Sequence, residues 1–326
     1  KEVLMNRLFP LLSILLVFFL FSPSWSFTLP DTGQTEYYTH TPGEDSDYNI
    51  YPRSYTKLDA SGHELPDAAE DWAMVKDNVS GLVWDVKTED GSIHDSSNVY
   101  SWEDASKIYI KKLNEQSFGG YSDWRLPSVK ELTSLINRAK SNPAVNAKYF
   151  PHTESSFYWS NTEMPYVKEY SWIVDFASGY VFSYCQKNKY HVRAVRGLPE
   201  EKKHDFKDNE DGTVTDFTTR LMWKKIADKK MTWEEALTYC ENLNYAGYTD
   251  WRLPNINELI SLVDYSQNDP CIAGSFFPDT QSLPYWSSTT NALIPKHAWM
   301  VIFNHGNVGS NAKKKEYLVR PVRGGL

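Results

Sequence analysis

The chain has 326 residues, a formal net charge of −8 at pH 7 and 23% charged residues. That length exceeds one ordinary domain and suits two. The acid excess lies in residues 27–205, with 19 Lys+Arg against 27 Asp+Glu, whereas 206–326 is near balance with 13 against 14; such a composition excludes a protein built for nonspecific attraction to nucleic acid or anionic lipid.

Met5-Asn6-Arg7 sets a positive charge before an apolar run from Leu8 to Phe21, with small residues at Ser24 and Ser26. This pattern reads as a signal peptide over 1–26, cleaved near Ser26, and predicts a secreted, periplasmic or cell-surface protein with no stable membrane span after cleavage. No Cys lies at the cleavage site, which argues against a lipoprotein. Leu29-Pro30-Asp31-Thr32-Gly33 matches a sortase anchoring pattern in letters, but such a signal precedes a C-terminal hydrophobic tail, so the stretch reads as a loop.

Self-comparison reveals a duplication. At an offset of 127, Asp123-Trp124-Arg125-Leu126-Pro127 matches Asp250-Trp251-Arg252-Leu253-Pro254, and Tyr158-Trp159-Ser160 matches Tyr285-Trp286-Ser287. Trp172 matches Trp299, Arg193 matches Arg320 and Arg196 matches Arg323. Upstream, Trp84 pairs with Trp223 at an offset of 139, so the first copy carries a 12-residue insertion, placed at Glu89 to Asp95. The expected domains are 27–198, with an N-terminal extension, and 206–326, joined by a charged linker at 199–205; a fragment from Asp205 to Leu326 is expected to fold alone.

Thr232-Trp233-Glu234-Glu235 is a capping box that opens a first helix, with Ser101-Trp102-Glu103-Asp104 as its counterpart. Ser128 with Glu131, and Asn255 with Glu258, open a second helix after each Trp-Arg-Leu-Pro. Asp211-Gly212 is a hairpin turn rather than part of a calcium loop, because Lys207 stands where a first ligand is needed. Short alternating runs such as Trp299 to Phe303 read as strands. The fold class is therefore α+β, each copy having two helices and antiparallel strands.

The repeated Trp and Arg residues read as structural: Trp124, Arg125, Trp159, Trp172, Arg193 and Arg196, with Trp251, Arg252, Trp286, Trp299, Arg320 and Arg323. A ligand site is the alternative, since Trp faces and Arg forks also bind sugars and anions. Arg125 and Arg252 are expected to pair with carboxylates or carbonyls, because an unpaired buried guanidinium is costly. No catalytic motif stands out, and neither a metal nor a cofactor is expected. With Cys185 in the first copy and Cys240 and Cys271 in the second, an oxidising compartment suggests a Cys240–Cys271 bridge with Cys185 free.

Taken together, Thr-Trp-x-x-Ala, Asp-Trp-Arg-Leu-Pro, Tyr-Trp-Ser and Val-Arg-x-Val-Arg-Gly resemble the Lcl C-terminal domain family, named for the domain that ends the Legionella collagen-like adhesin. The resemblance covers roughly 75 to 198 and 206 to 325. It implies a bacterial protein of two tandem C-type-lectin-like domains acting in adhesion, and partners among glycans or other surface macromolecules. The calcium-binding triplets of sugar-binding lectins are absent, so no lectin calcium site carries over. Contact with sulfated glycans would fall to the less acidic second copy, at Lys296, His297, Lys313, Lys314 and Lys315. The alternatives are a structural envelope protein without a small ligand and an enzyme of unrecognised type.

Overall fold

The computed structural model describes residues 28–48, 50–197 and 204–324. The expected signal peptide and most of the expected linker lie outside the described residues. The described chain is mostly sheet with a few short helices, in an α+β arrangement.

Each copy begins with a small antiparallel sheet that its own last strand closes. In the first copy β1 (Tyr55–Leu58), β2 (Met74–Asp77), β3 (Val83–Asp85) and β7 (Val195–Arg196) lie in that order. In the second, β8 (Phe206–Asp208), β9 (Thr213–Asp216), β10 (Leu221–Lys224) and β16 (Val322–Gly324) repeat it. Asp211-Gly212 forms the turn between β8 and β9, with Gly212 at φ +89, a conformation in which glycine meets no steric penalty. Registers make Tyr55 and Phe206 equivalent, since Tyr55 faces Asp77 and Phe206 faces Asp216.

The first helix of the second copy, Trp233–Glu241, is regular and opens on the Thr232/Glu235 capping box. Its counterpart runs as Trp102–Asp104, a π-helical stretch Ala105–Ile110, and Lys111–Glu115. The insertion therefore divides: 17 positions separate Trp84 from Ser101 where nine separate Trp223 from Thr232, and four further residues fall between Ser101 and Asp123, the span that holds the π-helical stretch. The second helices, Val129–Ser134 and Ile256–Ser261, both carry complete capping boxes.

The remaining strands merge the copies. β4 (Phe157–Glu163), β5 (Tyr170–Asp175) and β6 (Val181–Cys185) join β11 (Asp228–Met231), β12 (Pro284–Thr290), β13 (His297–Ile302), β14 (Asn307–Ala312) and β15 (Tyr317–Val319) in one eight-stranded sheet. Its order is β11-β15-β12-β13-β14-β6-β5-β4, with β12 and β15 parallel. The seam is the antiparallel pair β6–β14, where Val181 faces Val308. Those two valines are 127 apart, so equivalent residues pair with each other, as they do across a two-fold axis.

Side chains cross the seam with the same symmetry. Tyr265 packs edge-on against Trp172 with ring centroids 4.9 Å apart. The equivalent Arg138 lies 4.4 Å over the Trp299 ring. A single hydrophobic cluster holds Leu132, Val174 and Phe176 of one copy together with Leu259, Val301 and Phe303 of the other. Two copies meeting only at a solvated linker is thus not what is found: they share a sheet and a core.

The expected Cys240–Cys271 bridge also needs correction, since all three cysteines are free. Cys240 is buried on its helix beside Trp233 and Leu237, whereas Cys271 belongs to the shared core and donates to the Phe303 carbonyl at 3.2 Å. The two thiols sit in different clusters, so neither faces the other. Because one core serves both copies, chemical denaturation of the whole chain, followed by Trp fluorescence and far-UV circular dichroism, should give one coincident transition. Two resolved transitions would contradict a shared core.

Candidate functional site

The duplicated motif is a clamp. In Asp-Trp-Arg-Leu-Pro the Arg ion-pairs with the glutamate that caps the following helix: Arg125 meets Glu131 at 2.6 and 2.7 Å, and Arg252 meets Glu258 twice at 2.6 Å. The same carboxylates accept the cap N–H of Ser128 at 2.8 Å and of Asn255 at 2.9 Å. A bidentate fork with its carboxylate also held by backbone is the arrangement that makes a buried pair tolerable. The motif Asp in turn holds the closing Arg, Asp123 with Arg196 at 2.8 Å and Asp250 with Arg323 at 2.7 Å. Arg193 and Arg320 bond backbone carbonyls and the hydroxyls of Thr153 and Thr280. Trp124, Trp159, Trp251 and Trp286 each donate an indole N–H to a backbone carbonyl, while Trp172 and Trp299 lie at the seam.

One difference between the clamps exposes the site. Arg252 has a side chain 2% exposed, and its twin Arg125 is 23% exposed. What covers Arg252 is an arm, residues 28–48 with 50–53, that precedes the first copy and lies on the second, with the Tyr48 ring 5.3 Å from the Arg252 guanidinium. The Arg138 N–H donates to the Thr32 carbonyl at 2.8 Å, and Asn257 donates to the Pro30 carbonyl at 2.9 Å. The buried Asp45 carboxylate accepts the hydroxyls of Thr289 at 2.6 Å and Thr32 at 2.7 Å. Gln34 accepts the Thr290 N–H at 2.7 Å. Gly33 turns at φ +90 against Asn137, where a Cβ would come within 2.4 Å of the amide oxygen. The stretch Leu29 to Gly33, expected as a plain loop, is irregular in backbone but anchors this arm, with Asp31 and Thr32 buried.

The arm fills the cleft between the copies on one side of the two-fold. On the other side no described residue fills the equivalent cleft, which has a volume of about 1020 Å³. Its walls are Ser128, Val129, Lys130, Asn161 and Thr162 of the first copy and His204, Phe206, Thr218, Thr219, 261–267 and 273–276 of the second. Lys130 Nζ donates to the Ser261 carbonyl at 2.9 Å and lies 3.5 Å from His204 Nε2. His204 Nδ1 lies 2.8 Å from Asp216. Burial pushes the Asp216 carboxyl up, but the His204 hydrogen bond and charge, with Thr219 and Thr218, hold it below the ordinary value.

The residues expected to meet sulfated glycans lie elsewhere. Strand pairing brings Lys296 and His297 beside Lys313, whose N–H donates to the Lys296 carbonyl at 2.9 Å. Lys296, Lys314 and Lys315 are exposed. Lys313 is not part of that exposed turn: its ammonium turns inward, 3.8 Å from the Trp233 ring centre, and burial pushes it down to about 8 against the pull of Glu44 and Glu234. A second set of ionisable groups, Asp85, Lys87 and Tyr109, makes a sealed triad in the first copy, with Lys87 Nζ 2.7 Å from Tyr109 Oη and 3.1 Å from Asp85. Burial pushes Lys87 down to about 8, opposed by Asp85. With side chains 4% and 0% exposed, Lys87 and Asp85 are out of a ligand's reach.

No group of three or more His, Cys, Asp or Glu among the described residues is placed to hold a metal. No helix among them is long and apolar enough to cross a membrane. Sequence reasoning missed the cleft residues Lys130, Thr162, His204, Phe206 and Phe276, because they meet only once the copies dock. The available signal was the extension ahead of the repeat, which has no counterpart before the second copy.

The Lcl C-terminal domain family matches residues 73–196 and 212–323. That is more than half of the chain, which belongs to this family as a tandem pair. No curated protein sequence matches it.

The arm carries a pH dependence. Burial pushes the Asp45 carboxyl up to about 7, helped by Asp31 and Glu258 and opposed by the Thr289 and Thr32 hydroxyls. Its folded pKa lies above its unfolded value, so its stabilising contribution is complete below the unfolded pKa of about 4 and is lost as pH rises through about 7. Asp45→Asn should therefore raise the melting temperature relative to the parent at pH 8, and the difference should shrink toward zero or reverse at pH 4. A difference independent of pH would contradict this.

Proposed function

We propose that the chain is a secreted, non-enzymatic adhesion protein of two C-type-lectin-like domains, and that its surface ligand seats in the open cleft between the copies. Membership of the Lcl C-terminal domain family supports an adhesin-like role. The observation that carries the reading is the cleft: a concave recess with hydroxyl, ammonium and aromatic groups converging on it, the usual make-up of a recognition site. Binding rather than catalysis is favoured by how the ionisable groups are committed. The Asp85–Lys87–Tyr109 triad is sealed, and His204 Nε2 faces the Lys130 ammonium.

A second location for the ligand is favoured by the exposed Lys296, Lys314 and Lys315, which suit a polyanionic glycan. Arrays of glycans and surface proteins probed with the labelled chain test both. Retention at a discrete set of ligands, abolished by Asn161→Arg at the cleft wall, is the expected result. Loss on Lys314→Ala/Lys315→Ala with Asn161→Arg unaffected would move the site to the lysine turn, and uniform background would contradict a binding role.

A further inference from the structure

One β-hairpin in each copy presents large apolar side chains to solvent. Between β4 and β5 these are Tyr166 and Val167, 56% and 37% exposed; between β12 and β13 they are Leu293 and Ile294, 50% and 45% exposed. The two tips are the same turn at the offset of 127. The Val167 N–H donates to the Met164 carbonyl at 3.2 Å and the Tyr170 N–H to Val167 at 2.8 Å. In the second copy Ile294 donates to Asn291 at 3.0 Å and His297 to Ile294 at 2.7 Å. Tyr-Val and Leu-Ile differ in identity, yet both positions are apolar in both copies. Turns ordinarily hold Gly, Pro, Asn, Asp or Ser, so a pair of exposed large apolar residues at the same tip twice marks a contact surface.

Lysines stand beside each tip. The Gln186 N–H donates to the Glu169 carbonyl at 2.8 Å, which brings the turn with exposed Lys187 and Lys189 alongside Lys168. The Lys313 N–H donates to the Lys296 carbonyl, which does the same for exposed Lys314 and Lys315. On these hairpins and turns the three exposed lysines outnumber Glu163 and Glu169 in the first copy and Glu316 in the second.

The seam points the tips in opposite directions. β6 ends with Cys185 beside Tyr170, and β14 ends with Ala312 beside His297. Because β6 and β14 run antiparallel with Val181 against Val308, each hairpin lies past its own end of the shared sheet. Strand rise alone puts those ends roughly 26 Å apart.

We propose that the two tips are membrane-docking points and that the chain is a two-ended tether, each end setting its apolar pair into the interface of an anionic bilayer. This site is separate from the cleft and does not rest on it. A specific protein interface buries ~800 Å² per partner, far more than a protruding tip with two apolar side chains can offer. A bilayer interface accepts such a tip: the apolar pair enters the acyl boundary, and neighbouring lysines reach anionic headgroups. Tyr166 is of the type that settles at headgroup depth. A polyanionic glycan would account for the lysines but would leave Leu293 and Ile294 in water. The net charge of −8 supplies no long-range pull toward an anionic surface, so the contact rests on the tips themselves.

The test uses the chain from Phe27, which holds every described residue, and vesicles of mixed phosphatidylcholine and phosphatidylglycerol. Flotation reads binding and dynamic light scattering reads vesicle clustering. The parent should bind and cluster the vesicles, with binding at least about tenfold weaker on phosphatidylcholine alone. Tyr166→Ser/Val167→Ser and Leu293→Ser/Ile294→Ser should each still bind but no longer cluster. The four substitutions together should lower binding at least about tenfold. All four residues are exposed, so these variants keep the fold, which circular dichroism verifies. Asn161→Arg at the cleft wall should change neither readout. Full binding by the fourfold variant, or none by the parent, would overturn the proposal. Clustering by either single-tip variant would overturn the two-ended geometry, and equal binding to phosphatidylcholine alone the part given to the lysines. Lipid-free self-association in sedimentation velocity, lost in the single-tip variants, would make a second copy the occupant and overturn the membrane assignment.

Discussion

The structure depends on the pairing of two equivalent edge strands across the Val181–Val308 seam. A strand edge with unpaired N–H and C=O groups is a liability in a protein with two copies of one domain, and antiparallel self-pairing removes one edge from each copy at once. Once that pairing is made, the two-fold is imposed on everything nearby. Arg138 and Tyr265 are carried over the opposite copy's Trp, the second helices face each other, and two clefts are created where the copies diverge. Duplication thus yields an internal pseudo-dimer.

Symmetry is then broken by a segment outside the repeat. The arm reaches past its own copy to the second, seals the Arg252–Glu258 clamp and buries Asp45 against Thr289. No comparable length of chain precedes β8, because its hairpin follows the first copy after a short connection. One cleft is filled as a direct result, and among the described residues nothing fills its twin. The structural asymmetry of the molecule comes from chain connectivity rather than from divergence of the repeated motifs.

Legibility from sequence follows the same division. The repeat could be read because the clamp needs the same chemistry twice: an Arg fork, a capping Glu six residues on, and an Asp to hold the closing Arg. Capping boxes and the Asp211-Gly212 turn are local, and local physics places them. The seam and the clefts are not local. Val181 and Val308 are ordinary strand valines, and Thr162 lines a cleft only when the second copy arrives. Two expectations failed for the same reason. Cys240 and Cys271 share a copy but sit in different clusters, and Lys313 lies in a run of exposed lysines but turns under Trp233 and the arm. The 12-residue insertion was placed in one loop because spacing cannot reveal that a helix has absorbed part of it as a π-helical stretch.

The central claim is that the copies form one body through their own contacts, and cutting the connection between them tests it most directly. A protease site introduced into residues 198–203 allows the purified, folded chain to be cleaved there and examined by sedimentation velocity under native conditions. Because sheet, core and arm all cross between the copies, the cut chain should sediment as one particle of the parent's size. Separation into two particles of about half that size would contradict the account.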